Sequence, residues 1–277
     1  MKQTMGVSTS DFQFLRDLVY DHSAVVLHAE KIYLAELYLQ PIAESAGFTS
    51  IADLVTYLRD QPFSSLHSQV IESLVTNETF FFRDHHPFEA LKTFVLPELV
   101  KKRAIARSLN IWCAACSNGQ EPYSIAMLIK EHFPMLANWS VRLIASDFSS
   151  KVLAKAKQGR YNELEIQRGL PKNLRDRYFQ KMGHDWQIQD EILQMVEFRQ
   201  INLMQSWSSL PKSDVIFLRN VLIYFDVPTK KSLLKKVKQQ LNPDGYLFLG
   251  NAETTIHLDE SFKRVPFDKA ICYQLNN

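Results

Sequence analysis

The stretch LNIWCAACSNGQEPYSIAMLIKEHF, residues 109–133, changes its period half-way along. It opens on a short apolar run of the kind that forms a buried strand, and its second half repeats apolar residues at helical spacing. Between them lies a turn containing Gly119, with Pro122 in the first helical turn, where a missing N–H is tolerated. A strand that passes through a polar turn into a helix is half of a parallel β-α-β unit.

The same alternation continues outward. VRLIASD (141–147) precedes SSKVLAKAK (149–157), and DVIFLRN (214–220) precedes TKKSLLKKVKQQL (229–241). GYLFLG (245–250) and KAICYQL (269–275) follow. This predicts an α/β domain, a parallel sheet with helices on both faces. Residues 171–198 break the rhythm with charged, turn-rich sequence and read as a possible small β insertion. The first 75 residues show helical spacing only. Ser10 and Gln13 fit a capping box ahead of Phe12, Leu15, Leu18 and Val19. Ile32, Ala35, Leu39 and Ile42 share one face of a second helix that stops near Gly47. Ser50 with Asp53 opens a third, and Leu66, Val70 and Leu74 mark a fourth. The predicted domains are 1–76, all helical, and 77–277.

A chain of 277 residues suits about two domains. With 46% hydrophobic and 22% charged residues it falls in the globular class. It has neither a membrane-length apolar run nor the apolar core of a signal peptide. Three cysteines, an odd and low count, argue against a disulfide framework and for a reducing, cytoplasmic setting. Charge is uneven: residues 1–75 carry net −5 and the remainder +7, as if the two parts met different partners.

In open α/β sheets ligands bind beyond the carboxyl ends of the strands. The turn at Gly119 leads into a helix N-terminus, a natural anion site, but it lacks the G-x-G-x-x-G spacing and carries Glu121. An acid there repels a pyrophosphate and attracts a cation. Asp147, closing the second strand, is placed either to accept from ribose hydroxyls or to cap the next helix. Asn202 and Leu203, then Arg219 and Asn220, close two further strands. A nucleoside with a cationic centre and no phosphates fits this set, and S-adenosylmethionine is the common molecule of that description. Cys113 and Cys116 form a C-x-x-C with only Cys272 to join them, and His85 and His86 are adjacent, so no tetrahedral metal set is expected. No G-x-S-x-G elbow is present.

Four blocks, NETFFFRD (77–84), SNGQEPYSIAM (117–127), IASDFSSKVLAKAKQGRY (144–161) and LRNVLIYFD (218–226), resemble in order and spacing the signatures of the CheR chemotaxis receptor methyltransferases. The resemblance spans nearly the whole chain. It implies a Rossmann-like S-adenosylmethionine-dependent methyltransferase domain behind an N-terminal all-helical domain. It also implies methyl transfer to glutamate side chains on the cytoplasmic helices of chemoreceptors, leaving S-adenosylhomocysteine, by a monomer that neither enters the membrane nor binds nucleic acid. By the same resemblance Asn77, Thr79 and Arg83 touch the cofactor, with Arg83 also at the reacting centre. Glu121 lies near the methionine part and Asp147 on the ribose, while Asn202, Leu203, Arg219 and Asn220 surround the adenosine. Tyr224 stands near the transferred methyl, and the phenylalanines of the first block pack the adjoining core.

The chain departs from the family on its second helix, which usually carries basic residues. Lys31 is kept, but Tyr38 stands where Arg is usual, followed by Gln40, Pro41, Ile42 and Glu44. The β insertion is short, so binding of a receptor tail is not assumed. Alternatives are a methyltransferase of this fold with another protein substrate, or a silent S-adenosylmethionine-binding signalling module. A nucleic-acid amino-methylase would show an N-P-P-Y-like motif where RNVLIYF stands, and a nicotinamide enzyme would need the missing glycines.

Overall fold

A computed structural model describes residues 7–267 and 270–276. Two contact units divide it: residues up to Thr76 with Tyr224–Thr229, and Asn77–Ile223 with the chain from Lys230 on. The annexed hexapeptide Tyr224–Thr229 is the difference from the boundary read in the sequence, and no local pattern marks it.

Among the described residues, the first unit holds α1 (Thr9–Ser23), α2 (Ile32–Ser45), α3 (Ile51–Asp60) and α4 (Ser65–Leu74). Each buries one stripe, for example Phe12, Leu15, Leu18 and Val19 on α1 and Ala35, Leu39 and Ala43 on α2. The expected cap of α1 is corrected. Ser8, not Ser10, has the extended backbone of a cap, and its hydroxyl accepts from Asp11 N. Ser50 caps α3 through Asp53 N as expected. On α4 the buried set includes His67, which periodicity does not reveal. Its Nδ1 accepts from Ser64 N at 3.1 Å and its Nε2 lies 3.0 Å from Leu58 O, so the ring bridges two helices.

The second unit is built on β1 (Ser108–Ala114), β2 (Ser140–Asp147), β3 (Arg160–Asn162), β4 (Phe179–Met182), β5 (Asp185–Ile188), β6 (Val196–Gln200), β7 (Ser213–Leu218), β8 (Leu241–Leu249), β9 (Phe262–Phe267) and β10 (Ala270–Leu275). The larger sheet runs β6-β2-β1-β7-β8-β10-β9. Its first five strands are parallel, and β10 and β9 are antiparallel additions. Helices Gln120–His132, Ser150–Gln158 and Val227–Gln240 make the crossovers. Core strands read as apolar runs because both faces are covered: all six residues of β7 are buried. The smaller sheet, β3-β5-β4, spans residues 160–188 rather than 171–198. β3 is three residues long, too short for a periodicity, and β6 belongs to the main sheet.

At the end of the strands away from the polar turns, Arg103 ties β7 to β8. It donates to Asp214 at 3.0 Å and to Asp244 at 3.0 Å, and Asp214 also accepts from Asn110 N of β1. Strand order reverses between β1 and β7, so the crevice outside their carboxyl ends is the expected ligand position. Among the described residues no helix is long and apolar enough to cross a membrane.

Candidate active site

The turn after β1 is held in an uncommon backbone. Ala115, Ser117 and Gly119 all have positive φ. Gly119, at φ +88°, has a backbone that strains any other residue, and a Cβ there would also be tight, 3.0 Å from Ala156 Cβ. Asp147 stabilises this turn. Its Oδ2 accepts from Ser117 N at 2.9 Å and its Oδ1 from Ser149 N at 3.0 Å. The helix cap that the sequence left open for Asp147 is Ser149, whose hydroxyl accepts from Val152 N. Ser117 Oγ donates to Asn77 O at 2.8 Å, so Asn77, the Gly119 turn and Asp147 form one chain of contacts.

Arg219 organises the second cluster. Its side chain is 1% exposed, and it joins three parts of the sequence. Nη1 donates to Glu121 Oε2 at 2.7 Å, and Nη2 donates to Asp84 Oδ2 at 2.6 Å and to Arg83 O at 3.0 Å. Two carboxylates thus share one guanidinium. Burial pushes the Glu121 carboxyl above the usual carboxylate range, with Arg219 and then Arg83 pulling it back. Arg219 Nε is buried without a hydrogen-bond partner. Arg219, expected beside the adenosine, directs its Nη donors to groups inside the protein.

The NETFFFRD block divides by position. Phe81 is fully buried, edge-on to Tyr161 and Phe179 at 5.1 and 5.6 Å. Phe82 packs on Phe88. Phe80 departs from the expected core packing: its ring lies under two guanidiniums, Arg168 at 4.4 Å and Arg83 at 5.4 Å. Arg83 Nη1 also donates to Glu78 O at 2.9 Å, and Thr79 is half-buried beside it in sequence.

Asn202 follows β6; its Oδ1 accepts from Met204 N, and Leu203 is buried. Asn220 follows β7 in the left-handed region, at φ 57°. Its N–H donates to Glu253 Oε2 at 2.8 Å, and the same carboxylate accepts from Gly250 N and Ile223 N. Gly250 suits this close approach, because a Cβ there would come 2.8 Å from the Asn220 backbone N, which the Glu253 carboxylate holds in place. Tyr224 closes the short turn Leu222–Tyr224 and packs in the first unit, where its carbonyl accepts from Val26 N. Sequence reasoning missed Asp84, Ser117 and Glu253. Asp84 was adjacent to a named residue, but Glu253 acts across more than thirty residues with no local signal.

Burial pushes the Cys113 and Cys116 thiols well up, leaving them protonated, and among the described residues no group of three metal-ligating side chains occurs. The donor set suits S-adenosylmethionine rather than a nucleotide. Carboxylates and carbonyls, acceptors for hydroxyls and cations, dominate the strand ends.

Residues 77–271 match the family described as CheR methyltransferase, SAM binding domain, and residues 10–75 match CheR methyltransferase, all-alpha domain. The chain is 38% identical over 275 residues to the chemotaxis protein methyltransferase Cher2 of Pseudomonas putida, covering 98% of this chain and 99% of that one. It is 39% identical to chemotaxis protein methyltransferase 1 of Pseudomonas aeruginosa, again over 98% and 99%. A chemotaxis protein methyltransferase of Vibrio anguillarum is 35% identical, over 97% of this chain and 98% of its own.

Proposed function

Because the chain belongs to the CheR methyltransferase family, we propose that its methyl acceptors are glutamate carboxylates on the cytoplasmic helices of a chemoreceptor. It is an S-adenosylmethionine-dependent methyltransferase. What supports the finer reading is its end-to-end likeness to chemotaxis methyltransferases, both domains included. In this reading the protein is a cytoplasmic monomer.

Bound S-adenosylmethionine supplies an electrophilic sulfonium methyl and leaves as S-adenosylhomocysteine. A glutamate carboxylate, with a reference pKa of ~4.3, is ionised at neutral pH, so no general base is needed. The residues therefore have to orient and to exclude water. Asp147 accepts from the ribose, and Asn77, Thr79 and Glu121 line the methionine end. Arg83 holds a carboxylate, either the cofactor's or the incoming one, and Tyr224 hydrogen-bonds the acceptor oxygen. Arg219 keeps Glu121 and Asp84 in place, while Asn202, Leu203 and Asn220 border the adenosine.

Helix α2 bears on the partner. Its exposed residues include Tyr33, Leu37, Tyr38 and Glu44. Docking through this face would depend on apolar contact more than on attraction to an acidic receptor.

Labelled S-adenosylmethionine incubated with membranes from the same cells tests the proposal. A base-labile methyl on a membrane protein is the expected result. A base-stable methyl, or label only on soluble proteins, refutes it.

A further inference from the structure

Lys236 lies on the helix Val227–Gln240, far in sequence from the turn it serves. Its ammonium donates to the carbonyls of Leu203, Met204 and Gln205 at 2.9, 2.8 and 2.9 Å. An ammonium has three donors, and here three successive backbone acceptors take them. The Nζ also lies 5.3 Å from the centre of the Trp207 ring. Among the described residues Lys236 makes no ion pair, so carbonyl dipoles and one aromatic face carry the whole compensation for its partial burial. Burial accordingly draws its pKa down.

Three carbonyls turned toward one point are a costly arrangement for a loop to adopt unaided, because their dipoles repel. The cation makes it favourable. From the other side, Asn202 Oδ1 accepts from Met204 N, so the turn is fixed at both its amide and its carbonyl edges. The same helix continues the attachment at Gln240, whose side-chain amide donates to Leu210 O and Pro211 O. The turn directly follows β6, at a carboxyl end of the sheet.

We propose that Lys236 is a positioning residue that sets the turn after β6 so that Asn202 and Leu203 meet the adenosine end of the cofactor. This rests on assigning Asn202 and Leu203 to the cofactor. Lys236 itself touches no substrate, and its effect passes through backbone geometry.

The test uses the full-length protein and S-adenosylhomocysteine in titration calorimetry. Lys236→Met keeps the apolar stem and removes the charge. Its Kd should rise about tenfold, the equivalent of one lost hydrogen bond to a charged group. Turnover at saturating cofactor should stay within about twofold of the parent, since uniform binding is what is lost. Lys236→Ala should weaken binding alike, and propylammonium, which fits the vacated stem, should restore it. Tetramethylammonium at equal ionic strength should not, having no N–H to donate. Should Lys236→Met fail to fold, Lys236→Ala prepared with propylammonium and then dialysed gives the same readout. An unchanged Kd in folded Lys236→Met, or no rescue of folded Lys236→Ala, overturns the proposal. Asn202→Ala separates the two layers. If it weakens binding while Lys236→Met does not, the positioning role alone is wrong; if neither does, the cofactor assignment fails and takes the positioning role with it.

Discussion

Replacing Arg219 by Met should be the most damaging single change in the cluster at the switch point, and for a reason that a second experiment can isolate. The guanidinium donates three hydrogen bonds, two of them to carboxylates, from a side chain that is 1% exposed. Methionine fills much of the volume but leaves Glu121 and Asp84 without the guanidinium that bonds both, with only the more distant Arg83 charge acting on Glu121. Breaking a buried ion pair by removing one partner costs about 3–5 kcal/mol. Asp84 is partly exposed, at 23%, and recovers some of its share through water, which places the expected loss near the lower bound. Even ~3 kcal/mol is a large part of the roughly 5–15 kcal/mol that holds a domain together.

Urea denaturation followed by circular dichroism measures that loss. Adding Asp84→Asn and Glu121→Gln to Arg219→Met removes the orphaned charges, and the triple variant should regain more than half of the lost stability. Such recovery is the mark of an uncompensated charge, because a lost packing contact would not return. Cofactor binding should remain poor in the triple variant, since Glu121 is neutral there. A loss below about 1 kcal/mol in Arg219→Met, as for a surface pair, would refute the reasoning. So would a triple variant no more stable than the single one.

Three further outcomes are expected. Tyr224→Phe should lower turnover roughly tenfold, the value of one hydrogen bond to a charged group, while cofactor affinity holds; a collapse of binding with unchanged turnover per bound cofactor would remove Tyr224 from the reacting centre. The Arg103 guanidinium holds the Asp244 carboxyl below the usual range, so its stabilisation is fully present above the unfolded pKa of ~3.9 and is lost as pH falls from there through the lower folded pKa. Asp244 is 36% exposed, so Asp244→Asn should cost less than about 1 kcal/mol in urea midpoints at pH ~7, and the cost should shrink as pH falls below ~3.9; a loss that stays constant down the acid range would contradict this. Tyr38→Arg with Glu44→Arg should speed receptor methylation at low salt, with the gain shrinking where the screening length is ~8 Å; loss of activity at every salt concentration would mean that α2 already binds its partner through Tyr38.

The periodic parts of this fold could be read from the chain alone. The strand at 109–114, the helix from Gln120 and the stripes of α1–α4 bury repeating apolar positions, and local sequence carries that information. What escaped is non-periodic. Ser8 replaced Ser10 as a cap because several serines compete within one turn, and only backbone geometry selects among them. β3 pairs across a sheet of its own with three residues. His67 is buried by two hydrogen bonds rather than by hydropathy. At the candidate site, strand-end positions pointed to Asp147 and Asn220, but gave no sign of the groups they bond.

Those holding groups share one purpose. Asp84, Ser117 and Asn220 all have positive φ, a conformation costing on the order of 1–3 kcal/mol for a residue other than glycine. Each is met by a charged side chain from elsewhere: Ser117 N by Asp147, Asn220 N by Glu253, and the Asp84 carboxylate by Arg219. The partners stand 30, 33 and 135 residues away. A hydrogen bond to an ionised group contributes about 1.5–3 kcal/mol, which is the scale of the strain it opposes. Asp147 and Glu253 therefore serve the backbone first. The appearance of Asp147 as a ligand group in the sequence and its role as a restraint in the fold are compatible, since a carboxylate has lone pairs for both. A substitution at Asp147 or Glu253 should consequently disturb a turn as well as a contact, and Asp147→Asn, which keeps one acceptor oxygen, should be milder than Asp147→Ala in both melting temperature and cofactor affinity.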